Sequence, residues 1–262
     1  GGGEAEARMK REERRQAIMD LLIAARAVDL DDLAGRFAVS KMTIHRDLDD
    51  LEQTGLLRKV RGGATVEAGI QFESDFRIRA LQDAGAKARM AAAALHLVEP
   101  GMSVMVNDGS MAALLGTRLV ERAPLTIITN NAAVIETLKD APRITLIALG
   151  GAFDAKFNGF FGVVTEQALS RLRADLAFIS TPAVSGLRAF HMSDAVVGAK
   201  RAMMDAAQRR VLLVNHARFG RSALHELAGL AEFDAIITDA PPAPEDRAAI
   251  DRAGLTLTIA ED

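Results

Sequence analysis

The sequence predicts two domains of different class. Residues 1–66 read as a small, mainly α-helical unit closed by a β-hairpin, and residues 86–262 as an α/β unit with a mostly parallel sheet. Three observations carry this. Apolar side chains recur at helical spacing in three short segments before residue 55. From residue 103 onward the pattern becomes continuous apolar runs separated by amphipathic stretches, the mark of a parallel sheet covered on both faces. Between them, residues 67–85 mix Glu, Gly, Gln, Ser and Asp with scattered Phe72 and Phe76, and read as the connection. At about 150 residues per domain, the length of 262 residues suits one large domain or two smaller ones, and the pattern decides for two.

In chain order, residues 12–26 place Ile18, Leu21, Leu22 and Ala25 on one stripe. A second helix over 31–37 turns Leu33, Ala34 and Phe37 inward, and Ala38-Val39 makes a tight connection. Ser40 is a good N-cap for a third helix over 41–54, with Ile44, Leu48 and Leu51 inward and Gly55 ending it. Leu56 to Val66, with Gly62-Gly63 at its centre, reads as a β-hairpin. Lys87 to Val98 is an alanine-rich helix stopped by Pro100-Gly101. Strands follow at Ser103–Val106, Leu125–Ile128, Ile144–Leu149, Leu176–Ile179, Val211–Val214, Ala235–Ile237 and Leu255–Ile259. Helices over 110–121, 131–139, 163–173, 195–207 and 243–253 alternate with them.

Composition narrows the chemistry. With no cysteine, disulfides, iron–sulfur clusters, thiol catalysis and cysteine-based zinc modules are excluded. His191, His216 and His225 lack zinc-ligand spacing, so no metal or cofactor is expected. No apolar stretch reaches the roughly 18 residues needed to cross a bilayer, and the charged N-terminal region lacks a secretory apolar core, so the expectation is a cytoplasmic protein without a membrane partner. The formal charge of −3 argues at first against nucleic acid. Divided, it does not: residues 1–66 hold 12 basic and 12 acidic side chains, and the acidic excess lies entirely beyond them. The first unit is also patterned, with Arg8, Lys10, Arg11, Arg14 and Arg15 near one end and Arg58, Lys59 and Arg61 near the other. Without Trp or Tyr, base stacking is a poor strategy, which favours duplex over single strands.

Two short helices joined by a tight turn, the second capped and polar outside, fit a helix-turn-helix. The second helix of such a unit enters the major groove. Its outer face here is Lys41, Met42, Thr43, His45, Arg46 and Asp49. Arg46 can make two hydrogen bonds to a guanine edge, Thr43 can meet a phosphate or a thymine methyl, and Ser40 with its neighbouring amides can bind phosphate. Arg58, Lys59 and Arg61 of the hairpin would lie against the backbone or minor groove. The plainer alternative is a solvated face in which Arg46 pairs with Asp50 at i,i+4.

In the second unit, three loops follow predicted strands at their carboxyl ends, where open α/β sheets bind ligands. They are Asn107-Asp108-Gly109-Ser110, Thr129-Asn130-Asn131 and Gly150-Gly151. Amides at a helix start, a glycine and a hydroxyl suit a phosphate, although Asp-Gly-Ser and Gly-Gly are equally the residues of ordinary turns.

The strings LDDLAGRFAVS, KMTIHRDLDDLEQTGLL and RKVRGGAT, spanning Val28 to Thr65, strongly resemble the winged helix of DeoR-family transcriptional regulators. The resemblance continues to about residue 240 through DGS, TNN, GG, the KRAM segment at 200–203 and the FG…ITD tail at 219–239, which look like that family's effector domain. It implies a C-terminal fold similar to ribose-5-phosphate isomerase. It also implies a regulator, typically a repressor of a sugar or polyol catabolic operon, that binds double-stranded operator DNA as a homo-oligomer, dimer or tetramer. On this likeness Asp108, Gly109 and Ser110 would hold the phosphate or proximal hydroxyls of a phosphorylated sugar. Thr129, Asn130, Asn131, Gly150, Gly151 and Lys200 would complete the pocket, with Asn215 and Arg218 beside it. Read without the family, Lys200-Arg201 is equally a solvated helix turn.

Three departures mark this chain. His45 stands where the family has the first of two arginines, Asn215 and Arg218 where it has aspartate and lysine, and Val196 where it has glutamate. Arg for Lys exchanges a point charge for a planar fork, so an anionic effector is expected whose sugar need not be the usual one. The competing function is a sugar-phosphate isomerase with a DNA-binding appendage. That chemistry needs a carboxylate base, and Val196 and Asn215 remove two candidates while Asp108 and Asp194 remain.

Overall fold

The computed structural model describes residues 2–53, 57–66 and 76–261. The chain forms two compact units, residues 1–81 and 82–262. The expected roles of Gly55, Leu56 and Phe72, and of residues 67–75 as connection, lie outside the described residues.

In the first unit, α1 (Gly2–Ala25) starts ten residues before the expected helix. Its buried stripe is Ile18, Met19 and Leu22, whereas Ala25 is exposed, not inward as its spacing suggested. A short strand β1 (Ala27–Asp29) follows, missed because three residues show no period. Helix α2 (Leu30–Phe37) is capped by Asp29, whose carboxylate accepts from the amides of Asp31 and Asp32 at 2.7 and 3.2 Å. Ala38 in the left-handed conformation ends it and makes the tight turn to α3 (Lys41–Gln53). The hairpin β2 (Arg58–Val60) and β3 (Gly63–Thr65) takes β1 as a third, antiparallel strand, in the order β1-β3-β2. The closeness of β1 explains Gly63: a Cβ there would lie 2.0 Å from the Val28 carbonyl oxygen. Ile18, Leu22, Leu33, Ile44, Leu48, Leu51, Leu57 and Ala64 close the core around these elements.

The second unit opens with α5 (Ala84–Leu95), preceded by the short α4 (Phe76–Leu81), which lies in the first unit within the segment read as connection. Seven parallel strands form the central sheet: β4 (Ser103–Val106), β5 (Leu125–Thr129), β6 (Ile144–Ala148), β9 (Ala174–Ser180), β12 (Ala207–Leu213), β14 (Ala235–Thr238) and β15 (Leu257–Ile259). Their order is β15-β14-β12-β9-β4-β5-β6. The helices α6 (Ser110–Arg118), α7 (Ala132–Leu138), α8 (Val163–Ser170), α9 (Asp194–Ala206) and α10 (Pro244–Arg252) connect them. Five further strands escape the sequence reading. Hairpin β7 (Ala152–Asp154) and β8 (Gly159–Phe161) stands alone, and β10 (Ala183–Ser185), β11 (Arg188–His191) and β13 (His225–Gly229) form a small antiparallel sheet. The strand order runs one way from β4 to β6 and then resumes beside β4 at β9, so the switch point lies between β4 and β9.

Those two strands are tied at their amino ends by Asp175, whose carboxylate accepts from the Ser103 amide and hydroxyl, both at 2.7 Å. The amide first, then the hydroxyl, holds the Asp175 carboxyl below the usual carboxylate range. A depressed carboxyl stabilises the fold above the unfolded-state pKa, and that contribution is lost as pH falls through the folded value. Ser103→Ala should therefore move the Asp175 pKa back upward in an NMR titration and flatten the acid limb of the stability profile. An unmoved pKa would contradict this account.

Candidate functional site

Helix α3 turns Ile44, Leu48 and Leu51 into the core, and with them Asp47, which is 1% exposed. A carboxylate so buried requires partners. Arg14 Nε donates to it at 2.6 Å, with Arg15 Nε at 3.5 Å and Arg11 Nε at 3.7 Å. Arg11 and Arg15 also ion-pair with Asp50. The arginine block near the N-terminus is thus turned onto the carboxylates of α3. It also occupies Asp50, so the alternative Arg46–Asp50 pair does not form.

On the opposite face, Lys41, Met42, His45, Arg46 and Asp49 are exposed. Thr43 is half-buried, because its amide donates to Ser40 Oγ at 3.1 Å and its hydroxyl shares a 2.9 Å hydrogen bond with the same atom. Ser40 is thereby the N-cap its sequence position suggested, and Ser40→Ala should cost about 1 kcal/mol of stability in a urea melt. An unchanged midpoint would show that the cap contributes nothing. The hairpin cations separate. Lys59 is paired with Asp49 and its amide donates to Glu52 at 2.7 Å, while Lys41 pairs with Asp31 at 2.6 Å. Arg46, Arg58 and Arg61 are exposed and form no ion pair among the described residues. Exposed pairs such as Lys41–Asp31 are weak and exchangeable for phosphate.

In the second unit, the loops expected at the carboxyl ends of β4 and β5 converge. Asp108, Ser110, Thr129, Asn130, Asn131 and Lys200 are all buried. Lys200 is only 2% exposed, which overturns the solvated-turn alternative. Its ammonium donates to the Ser180 carbonyl at 2.8 Å and lies 3.6 Å from Asp108 Oδ1. Asn107 joins the two strands of the switch point: Oδ1 accepts from the Ser180 amide at 3.0 Å, and Nδ2 donates to the Asp108 carbonyl at 2.7 Å. Thr129 Oγ1 donates to the Val106 carbonyl at 2.7 Å and accepts from the Asn131 amide at 3.0 Å. Asn131 caps α7 through Oδ1 and donates through Nδ2 to the carbonyls of Asn107 and Gly109 at 3.2 and 3.1 Å. The amino end of α6, beginning at Ser110 after Gly109, has no side-chain cap of its own.

Of the other expected residues, Gly150 and Asn215 make their hydrogen bonds to groups outside this cluster. Gly150 and Gly151 are exposed at the root of hairpin β7–β8, with the Gly150 carbonyl accepting from Thr165 Oγ1 at 2.6 Å. Asn215 follows β12, caps a short 3-10 turn containing Arg218, and donates to Asp239 at 3.2 Å. Asp239 also accepts from the His216 amide at 2.7 Å and faces His216 Nδ1 at 2.9 Å. Val196 is fully buried against Phe157, Phe161 and Ala199, so an apolar wall stands at that departure from the family pattern. Asn107 is expected only as part of its loop, with no role of its own, and Ser180 is absent from the expected site. Ser180 ends β9, and the rule applied to the other strand ends would have found it. Among the described residues, no group of three or more His, Asp or Glu is placed to hold a metal, and no helix is long and apolar enough to cross a membrane.

Comparison with known proteins gives two family matches: the DeoR-like helix-turn-helix domain over residues 14–68 and the DeoR C terminal sensor domain over residues 82–240. The HTH-type transcriptional regulator YgbI of Escherichia coli is 30% identical, across 95% of this chain and 98% of its own. The transcriptional repressor GlcR of Bacillus subtilis is 29% identical across 97% and 98%. The glycerol-3-phosphate regulon repressor of Escherichia coli is 27% identical across 89% and 93%. Among solved structures, ribose 5-phosphate isomerase A of Methanocaldococcus jannaschii overlaps 51% of this chain and 53% of its own, at 20% identity and a TM-score of 0.37. With both family domains present in order and full-length relatives that are transcriptional regulators, the chain belongs to the DeoR family of transcriptional regulators.

Proposed function

We propose that this regulator represses a sugar or polyol catabolic operon, binding double-stranded operator DNA through α3 and the hairpin and releasing it when a phosphorylated sugar occupies the second unit. The observation that carries the effector half is the buried polar cluster at the β4/β9 switch point, where α/β sheets hold ligands. Asp108, Gly109 and Ser110 at the uncapped start of α6 would take the phosphate. Thr129, Asn130, Asn131 and Lys200 would take the hydroxyls, and Gly150, Gly151, Asn215 and Arg218 would lie at the rim. Exposed Met42, His45, Arg46, Arg58 and Arg61 support the DNA half, with Ser40, Lys41, Thr43 and Lys59 reaching phosphates after exchange of their present partners.

Repression is favoured by relatives such as GlcR and the glycerol-3-phosphate regulon repressor; the L-fucose operon activator of Haemophilus influenzae, 30% identical across 79% of this chain, bears a name of the opposite sense. A cytoplasmic homo-oligomer, dimer or tetramer, follows from the need for two half-sites, with residues 67–85 connecting the domains. Catalysis is not part of the proposal: Asp108 lies beside Lys200, and Val196 offers no carboxylate. No proton exchange with ribose 5-phosphate is therefore expected.

The deciding experiment is a gel shift on the upstream region of its own gene, titrated with sugar phosphates. One of them should change DNA affinity by about 5–150-fold, and DNA should weaken that compound's binding by the same factor. If none alters affinity, the sensor reading fails. If no shift occurs even at low salt, the DNA reading fails.

A further inference from the structure

We propose that the cluster around Asn130 is a closed chamber, that its ligand donates a hydroxyl hydrogen bond to Asn130 Oδ1, and that the hairpin from Ala152 to Phe161 is its gate. The proposal rests on the effector reading above and names both the ligand group and the way in.

Asn130 is fully buried. Its Nδ2 donates to the Phe160 carbonyl at 2.9 Å, and its backbone carbonyl accepts from the Phe160 amide at 2.9 Å. Its Oδ1 has no hydrogen-bond partner among the described residues. An orphaned buried acceptor costs about 1–3 kcal/mol, and Asn130 adjoins buried Asn131 and, across Gly159, buried Asp108. A group that supplies one donor at this point satisfies the atom. A hydroxyl does so without adding charge beside Asp108.

Access is blocked by backbone. Gly159 bridges Asn131, the Ala132 amide donates to the Asn158 carbonyl at 3.0 Å, and a Cβ on Gly159 would lie 3.1 Å from the Asn130 carbonyl oxygen and 3.3 Å from Asp108 Cβ. The roof therefore sits directly on the chamber. Apart from the single bridge at Gly159, it is a two-stranded ribbon that pairs with no other strand among the described residues, a unit of marginal stability alone. Both roots are glycines at positive φ, Gly151 at +143° and Gly162 at +91°; a Cβ on Gly151 would lie 2.3 Å from Thr165 Oγ1, whereas Gly162 stands in open space and is the freer hinge. Phe157 and Phe161, packed on Val196 and Ala199, provide an apolar contact that recloses it. Outside the central sheet, the hairpin is held by the hydrogen bonds of Asn158 and Phe160 to residues 130–132 and by this small apolar contact. A segment held at the periphery opens locally while the rest stays folded.

The absence of cysteine makes a clean test, since A132C/N158C would introduce the only two thiols, paired across the roof. Full-length protein is titrated calorimetrically with ribose 5-phosphate, glycerol 3-phosphate and inorganic phosphate, oxidised and reduced. Amide exchange at Phe160 is compared with Phe178 in β9. The gate predicts that Phe160 in wild type exchanges at least about 100-fold faster than Phe178. It also predicts that oxidation weakens sugar-phosphate binding at least about tenfold and that reduction restores it. Equal binding in both states, or exchange of Phe160 only together with Phe178, overturns the gate. Should no probe bind the reduced form, the effector reading fails for these compounds and exchange alone judges the gate. Asn130→Leu should weaken sugar-phosphate binding about tenfold or more; unchanged binding overturns the role of Oδ1, and a matched melting curve separates this from misfolding.

Discussion

Lys200→Met should lower the stability of the second unit by about 3–5 kcal/mol, read as a large fall in the urea midpoint. The ammonium is 2% exposed, beside Asp108 Oδ1 and donating to the Ser180 carbonyl. Removing it leaves a buried carboxylate and a carbonyl oxygen facing an apolar methyl. The penalty belongs mostly to the stranded partner, so Asp108→Asn in the same chain should recover a substantial part of it. A single variant as stable as wild type would mean that water reaches the pair. A double variant no better than the single would mean that Lys200 acts through partners other than Asp108. At temperatures where Lys200→Met stays folded, it should still shift operator DNA but lose the response to sugar phosphate.

Arg46→Ala should weaken operator binding by about 1–3 kcal/mol and relax discrimination at one base position. Its guanidinium is exposed on the outer face of α3 with no ion pair among the described residues, so no internal partner is stranded by its loss. Stability should then change by less than about 0.5 kcal/mol. An equal loss on every DNA sequence would assign Arg46 to phosphate rather than to a base. Arg14→Ala is the contrasting control: it removes the closest partner of Asp47 and should reduce stability in protein lacking any DNA.

Periodicity sees an element only when enough residues repeat. The thirteen residues of α3 show their inward face at Ile44, Leu48 and Leu51, and the five of β5 show theirs through Leu125, Ile127 and Ile128. Strands β1, β7, β8 and β10 have three residues each, and their identity comes from partners far along the chain. Val28 is a strand residue because Ala64 lies opposite. Charge was legible in number but not in use. Arg11, Arg14 and Arg15 look in sequence like a surface for DNA, yet they are engaged by Asp47 and Asp50, whose distance from them in the chain hides the pairing.

The sequence by itself determined the family, the order of the two domains, the face of α3 that holds Arg46, and the strand-end loops that carry Asp108 and Asn130. These depend on local spacing and on motifs a few residues long. Only the tertiary structure decided that Lys200 is buried beside Asp108, that Ser180 and Asn107 join the cluster, that Asn215 is engaged by Asp239, and that a hairpin roofs Asn130. Each of these depends on which side chains meet across strands distant in sequence and on how little water remains between them. Burial, which raises the cost of an unpaired charge or a missing hydrogen bond, is a property of the packed neighbours and not of the residue.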